Sequence, residues 1–268
     1  MRRLEEYEPI LSQALRLCAR QSAFECQPPL GDVLASHPRL IVAVNHSTPL
    51  SWLPAAALLV VNAVARGGGL RTPMGVMDRF FFHVPFFREL AHLITQTERP
   101  LSSRELIEKF EASENLDLVV FPEGSNCFFG RSDEVQEFRS PKFVEIALRT
   151  ESPILIVAHW GSENWAKSIE VPQAIVDRLG VLPPFMQRFF EKRLKEKGKL
   201  VLPMWPAPME RFSMRCELYH PSLSVDDLAD DADERFTQIA GEAERIRNRM
   251  CELVAELSGE KQRTIARN

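Results

Sequence analysis

LIVAVNHSTPLSW, residues 40–52, joins five consecutive apolar residues to a histidine ringed by small hydroxyl side chains. Five apolar residues without alternation mark a strand buried on both faces, the kind found in parallel sheets covered by helices. A second run of this kind, Leu116 to Phe121, ends in Phe-Pro-Glu-Gly-Ser-Asn at 121–126. Ligands of open α/β sheets bind at the carboxyl ends of strands, so the two strand ends are expected to meet in one site. What holds the His46 ring is left open by the sequence. No carboxylate lies between residues 47 and 77, and the next acidic residue is Asp78.

Working outward, apolar positions Leu4, Tyr7, Ile10, Leu11, Ala14, Leu15 and Leu17 predict a helix over 4–24, broken by Cys-Gln-Pro-Pro-Leu-Gly-Asp at 26–32. Residues 39–44 read as a strand and 50–65 as a helix closed by Gly67, Gly68 and Gly69. The start of that helix is ambiguous, because Pro54 inside it would bring a kink. Short strands are expected at 74–77 and 94–97. Ser102 with Glu105 three residues on forms a capping box for a helix over 102–113. A strand at 116–121, a helix at 141–149, a strand at 154–158, a late strand at 214–219 and an amphipathic helix at 234–257 follow. The alternation predicts an α/β fold with a mostly parallel central sheet flanked by helices.

The chain has 268 residues, 45% of them hydrophobic and 26% charged, which is enough to bury a sizeable core and unlike a disordered chain. A net charge of −4 gives no global nucleic-acid signature. The five cysteines, Cys18, Cys26, Cys127, Cys216 and Cys251, form no C-x-x-C pair, so neither a disulfide framework nor a zinc site is expected, and a reducing compartment fits. Acidic residues interrupt the N-terminus where a signal peptide needs an apolar core. No stretch reaches the 18 uninterrupted apolar residues of a membrane span, so membrane contact is expected to be interfacial. One candidate surface is 185–199, where Phe185, Met186, Phe189, Phe190 and Leu194 sit among six basic and two acidic residues. The Phe80–Phe87 cluster reads either as core or as the lining of an apolar groove.

Four blocks in order carry a resemblance. They are Asn45-His46, then His-Leu-Ile-Thr-Gln-Thr-Glu-Arg ending at Arg99, then Phe121-Pro122-Glu123-Gly124-Ser125, then the proline-led strand after Pro153. Together they resemble the glycerophospholipid acyltransferase family, the group containing 1-acyl-glycerol-3-phosphate acyltransferases, over roughly residues 35–257. The resemblance implies an acyltransferase-like domain at 35–257, after an N-terminal amphipathic helical segment at 1–34 and before a polar tail at 258–268. It implies transfer of a fatty acyl group from an acyl-CoA or acyl-carrier-protein thioester to a lysophospholipid or related glycerolipid. His46 would be the general base, Arg99 the phosphate anchor, and Glu123, Gly124 and Ser125 the acceptor site. Lys142 also falls where the family places a lysine-bearing helix. No metal or bound cofactor is implied, and the expected location is the cytoplasmic face of a membrane, held peripherally.

The residue types suit that chemistry. A neutral imidazole takes the proton of an attacking hydroxyl, and a guanidinium fork grips phosphate through two bonds. No G-x-S-x-G elbow supports a serine nucleophile. The departure is Ser51, which stands where the family carries an aspartate that orients the histidine. Its hydroxyl can accept a hydrogen bond from the ring but cannot offset the imidazolium charge. A carboxylate brought from elsewhere, a slow enzyme, and a non-catalytic lipid-binding or scaffold protein are the three outcomes this leaves open.

Overall fold

The computed structural model describes residues 1–83, 85, 87–129, 134–176, 193–204 and 208–265. Most of the 185–199 segment therefore lies outside the described residues, as do Val84 and Phe86 of the aromatic cluster. The elements run α1 (Leu4–Cys18), β1 (Ala19–Gln27), α2 (Leu30–Ser36), β2 (Leu40–Val44), α3 (Trp52–Ala63), β3 (Thr72–Gly75), α4 (Arg79–His83), α5 (Phe87–Thr95) and α6 (Ser103–Glu111). They continue with β4 (Leu116–Val120), α7 (Lys142–Arg149), β5 (Ile154–Trp160), β6 (Ala166–Glu170), α8 (Gln173–Val176), β7 (Lys199–Pro203), β8 (Met209–Tyr219) and α9 (Ala232–Ile265).

Six strands form the central sheet in the order β1-β8-β5-β2-β4-β3. Every neighbouring pair is parallel except β5 with β8. The mixed α/β architecture with a mostly parallel sheet is the fold class that the alternation predicts. Strand periodicity explains why β2 is apolar throughout. Ile41 and Ala43 face a core shared with α6, α7 and α9, whereas Leu40, Val42 and Val44 face one shared with α1, α2 and α3. β5 divides the same way, with Ile154, Ile156 and Ala158 on one face and Leu155 and Val157 on the other.

Three local readings change. The helix expected over 4–24 stops at Cys18, and residues 19–27 become an edge strand beside β8. That strand ties the first 34 residues into the central sheet. Ile94 to Thr97 is not a strand, because Ile94 and Thr95 close α5. Ile94 lies on Gly75, where any Cβ would sit 2.4 Å from its Cγ2, so the helix end and β3 fit only because β3 ends in glycine. The helix after His46 starts at Trp52, which places Pro54 in its first turn. A missing N–H costs nothing there, and the helix needs no kink.

Inside the sheet Asp117 is buried and paired with buried Arg71, at 2.7 Å through Nε and 2.5 Å through Nη2. Burial raises the Asp117 carboxyl, and the Arg71 fork opposes that rise. At α6 the expected cap is present, with Ser102 accepting from the Glu105 N–H and Glu105 accepting from the Ser102 N–H at 2.7 Å. Ser102→Ala is expected to cost about 1 kcal/mol of stability, read as a lowered urea midpoint with an unchanged slope. No helix among the described residues is long and apolar enough to cross a membrane.

Candidate functional site

Because β2, β4 and β5 run parallel, the segments leaving their carboxyl ends emerge on one rim. β2 delivers Asn45 and His46, β4 delivers Phe121 to Ser125, and β5 ends in His159 and Trp160. The expected meeting of the two strand ends is direct. The His46 N–H donates to Glu123 Oε1 at 2.6 Å, and Glu123 Oε2 accepts from the Gln136 N–H at 2.6 Å. Glu123 is 0% exposed, and burial pushes its carboxyl up to about 7, opposed by the two N–H donors and by Arg247. It acts as a staple between the His46 loop and the segment around Gln136.

The imidazole itself is held by neither Ser51 nor a carboxylate, the two candidates the sequence leaves open. Neither ring nitrogen of His46 makes a hydrogen bond of full geometry, although the backbone at Pro49 and Gly124 comes close enough to act on the ring, and both nitrogens are shielded from solvent. Its ring sits 5.0 Å from that of Phe121, tilted by 49°. Burial pushes His46 down to about 4, with the backbone at Pro49 and Gly124 opposing the fall. The ring is thus neutral at pH 7, with one nitrogen lone pair uncommitted. Ser51 is buried, but its hydroxyl donates to the Thr48 carbonyl at 2.8 Å and accepts from the Thr48 N–H at 3.3 Å. Three residues apart, the two close a local turn, so Ser51 does not orient the ring. No carboxylate hydrogen-bonds the ring either, and the acidic group nearest in role, Glu123, grips the main chain.

Gly124 adopts φ +52°, a left-handed backbone that favours glycine, and turns the chain after Glu123. Ser125 and Asn126 are buried behind that turn, where Asn126 Nδ2 donates to the Glu137 carbonyl at 2.7 Å. Beside the turn opens a cleft of about 460 Å³ between α4, α6, α7 and the ends of β3 and β4. Phe121 and Gly124 line it, together with apolar Met74, Phe82 and Phe143 and cationic Arg79, Arg139 and Lys142. His46, Ser51, Glu123 and Ser125 do not line it. Phe121 touches both cleft and imidazole, lining the first while its ring packs against the second. Arg99 is also outside the lining. Its side chain is 65% exposed and paired with Glu105, although its neighbours Pro100, Leu101 and Ser102 do line the cleft.

His159 lies one residue past the strand read over 154–158, in a strand that runs on to Trp160. The signal was present as a histidine continuing an otherwise apolar run. Arg139 pairs with Asp78 across the cleft mouth, a contact between segments far apart in the chain and invisible to local pattern. Among the described residues, no group of three or more His, Cys, Asp or Glu side chains is placed to hold a metal ion.

No protein-family model matches this chain, and no curated protein matches it. Among solved structures, the chain is similar to the crystal structure of the 1-acyl-sn-glycerophosphate (LPA) acyltransferase PlsC from Thermotoga maritima. The TM-score is 0.49 and the identity 17%, over 93% of this chain and 78% of that one.

Proposed function

We propose that this protein transfers a fatty acyl group from an acyl-CoA or acyl-carrier-protein thioester to a hydroxyl of a lysophospholipid or related glycerolipid, at a peripheral membrane surface. The observation that carries this reading is the state of His46. Its imidazole is neutral with an uncommitted nitrogen, on the same rim as the Phe-Pro-Glu-Gly turn. In the reaction, the acceptor oxygen attacks the thioester carbonyl as His46 takes the hydroxyl proton. The new C–O bond forms, the C–S bond breaks, and the proton leaves His46 for the departing sulfur. The neighbouring cleft supports an amphiphilic substrate, since Met74, Phe82 and Phe143 offer apolar wall and Arg79, Arg139 and Lys142 offer positive charge. Arg99 remains in the proposal as a second anion contact at the cleft's outer edge, available when it exchanges Glu105 for a phosphate.

The test is incubation of the purified protein with radiolabelled acyl thioesters and a panel of lysolipids and glycerolipid alcohols. Labelled ester above the level given by His46→Ala supports the reading, and equal label from both ends it. Within such an assay, Lys142→Gln and Arg139→Gln are each expected to raise KM for phosphate-bearing acceptors by about tenfold, the effect of losing one charged hydrogen bond. An acceptor without phosphate should show no change.

One observation favours a second reading. A histidine ring with no oriented partner also fits a lipid-binding or scaffold protein that keeps the rim without catalysing transfer. In that case His46→Ala leaves lysolipid binding intact, and no labelled ester forms with any acceptor.

A further inference from the structure

A second buried histidine grips the segment that carries His46. His159, at the end of β5, is 0% exposed. Its backbone N–H donates to Asn45 Oδ1 at 2.8 Å, and its carbonyl accepts from Asn45 Nδ2 at 3.2 Å. Its ring then reaches back, placing Nε2 2.9 Å from the Asn45 carbonyl oxygen. A carbonyl only accepts, so Nε2 carries the proton. The Asn45 carbonyl and the His46 N–H belong to one peptide plane. Its oxygen is held by His159 and its nitrogen, at 2.6 Å, by Glu123. His159 at the end of β5 and Glu123 in the turn after β4 thus fix the plane from which the His46 side chain springs.

We infer that His159 is a positioning residue, which aims the His46 imidazole by holding the Asn45–His46 peptide through its Nε2–H rather than by touching the ring. The inference rests on the reading of His46 as the base. It explains how the point from which the His46 side chain leaves the backbone is fixed although Ser51 is occupied elsewhere. A peptide plane fixed at both its oxygen and its hydrogen cannot rotate, and its rotation would swing the attached side chain. A displacement of about 1 Å in a reacting group can cost on the order of 100-fold in rate. Burial, with a smaller push from neighbouring His46, holds His159 down to about 3, so its ring stays neutral and keeps the tautomer that donates from Nε2.

The experiment compares His159→Gln with His159→Asn. A glutamine amide nitrogen falls near the position of Nε2 and keeps the donor, whereas an asparagine amide nitrogen falls near Nδ1 and loses it. Two readouts are taken on the whole protein. One is kcat and KM for acyl transfer with the best acceptor of the panel. The other is hydrogen exchange of the His46 amide, followed by NMR without substrate. The expected result is that His159→Gln keeps kcat within about threefold, whereas His159→Asn lowers it by about 10–100-fold with KM unchanged. The His46 amide should exchange about tenfold faster in the Asn variant only. A merely structural histidine would lower the melting temperature of both variants alike and leave kcat untouched, which overturns the inference. Failure of the Gln variant to fold overturns it too, since it would show that the ring is needed for packing and not for its donor. If the wild type transfers no acyl group, the reading of His46 as a base falls. The amide then decides the positioning alone, and unaltered exchange in the Asn variant overturns it.

Discussion

His46→Ala is expected to lower acyl transfer by about 10²–10⁴-fold, the usual contribution of a positioned general base, while the chain still folds. The ring makes no hydrogen bond of full geometry, so its loss orphans no buried donor or acceptor. The bonds that shape the loop come from main-chain atoms that alanine retains, through His46 N to Glu123 and Asn45 O to His159. The loss of rate should fall on kcat, because a general base acts on the proton in transfer and adds little to ground-state binding. The pH profile carries a second signature. A histidine at its ordinary value of 6.5 would lose base activity as pH falls through 6.5, but burial holds His46 down to about 4. The rate supported by the unprotonated ring should therefore persist from pH 7 to about 5 and fall only near 4. Initial rates of labelled ester formation across that range check both points. A variant retaining more than about a tenth of the wild-type rate, or an acid limb centred near 6.5, would remove His46 from the role.

Much of the sheet was readable because burial on both faces leaves no polar residue to interrupt the pattern, as in β2 and β5. The meeting of His46 with Glu123 followed from direction alone, since parallel neighbours deliver their carboxyl ends to one rim. β1 was missed for the opposite reason. It is an edge strand whose exposed Arg20, Gln21 and Ser22 hide the alternation behind a helical-looking start. The antiparallel β6–β7 pair, with exposed Lys167 and Ser168, has the same weakness. At 94–97 the β-branched pair Ile94 and Thr95 that ends a helix looks like the start of a strand. At the site, Ser51 is instructive. A hydroxyl three residues from a main-chain carbonyl finds that carbonyl first, because a local bond needs no tertiary placement. Spacing from His46 reveals the position of Ser51 but not that competition. The grip of Glu123 and His159 on one peptide plane was beyond reach from sequence, as it depends on main-chain atoms that every residue carries.

Glu123→Gln is expected to destabilise the protein by about 1–3 kcal/mol at pH 8 and by more at pH 5. The carboxylate uses both oxygens, accepting from His46 N–H and Gln136 N–H, each at 2.6 Å. A glutamine of the same shape has one oxygen. Its NH₂ must face the other backbone donor, leaving an N–H without a partner at a residue that is 0% exposed. The pH trend follows from linkage. Burial lifts the Glu123 carboxyl from 4.5 in the unfolded chain to about 7 in the fold. The native state therefore keeps a proton that the unfolded chain has released, and stability from this group is full below about 4.5 and is lost as pH rises through 7. At 1.36 kcal/mol per unit the whole swing is about 3 kcal/mol. Glutamine does not titrate, so the wild-type advantage should be widest at pH 5 and narrow toward pH 8. Buried His46 and His159 titrate over part of the same range, but both variants retain them, and the difference between the two unfolding curves isolates Glu123. Urea unfolding of both proteins at pH 5 and pH 8 measures it. A gap that stays constant or widens as pH rises would mean that Glu123 is already ionised at pH 5 and that its two backbone bonds outweigh the cost of burying its charge.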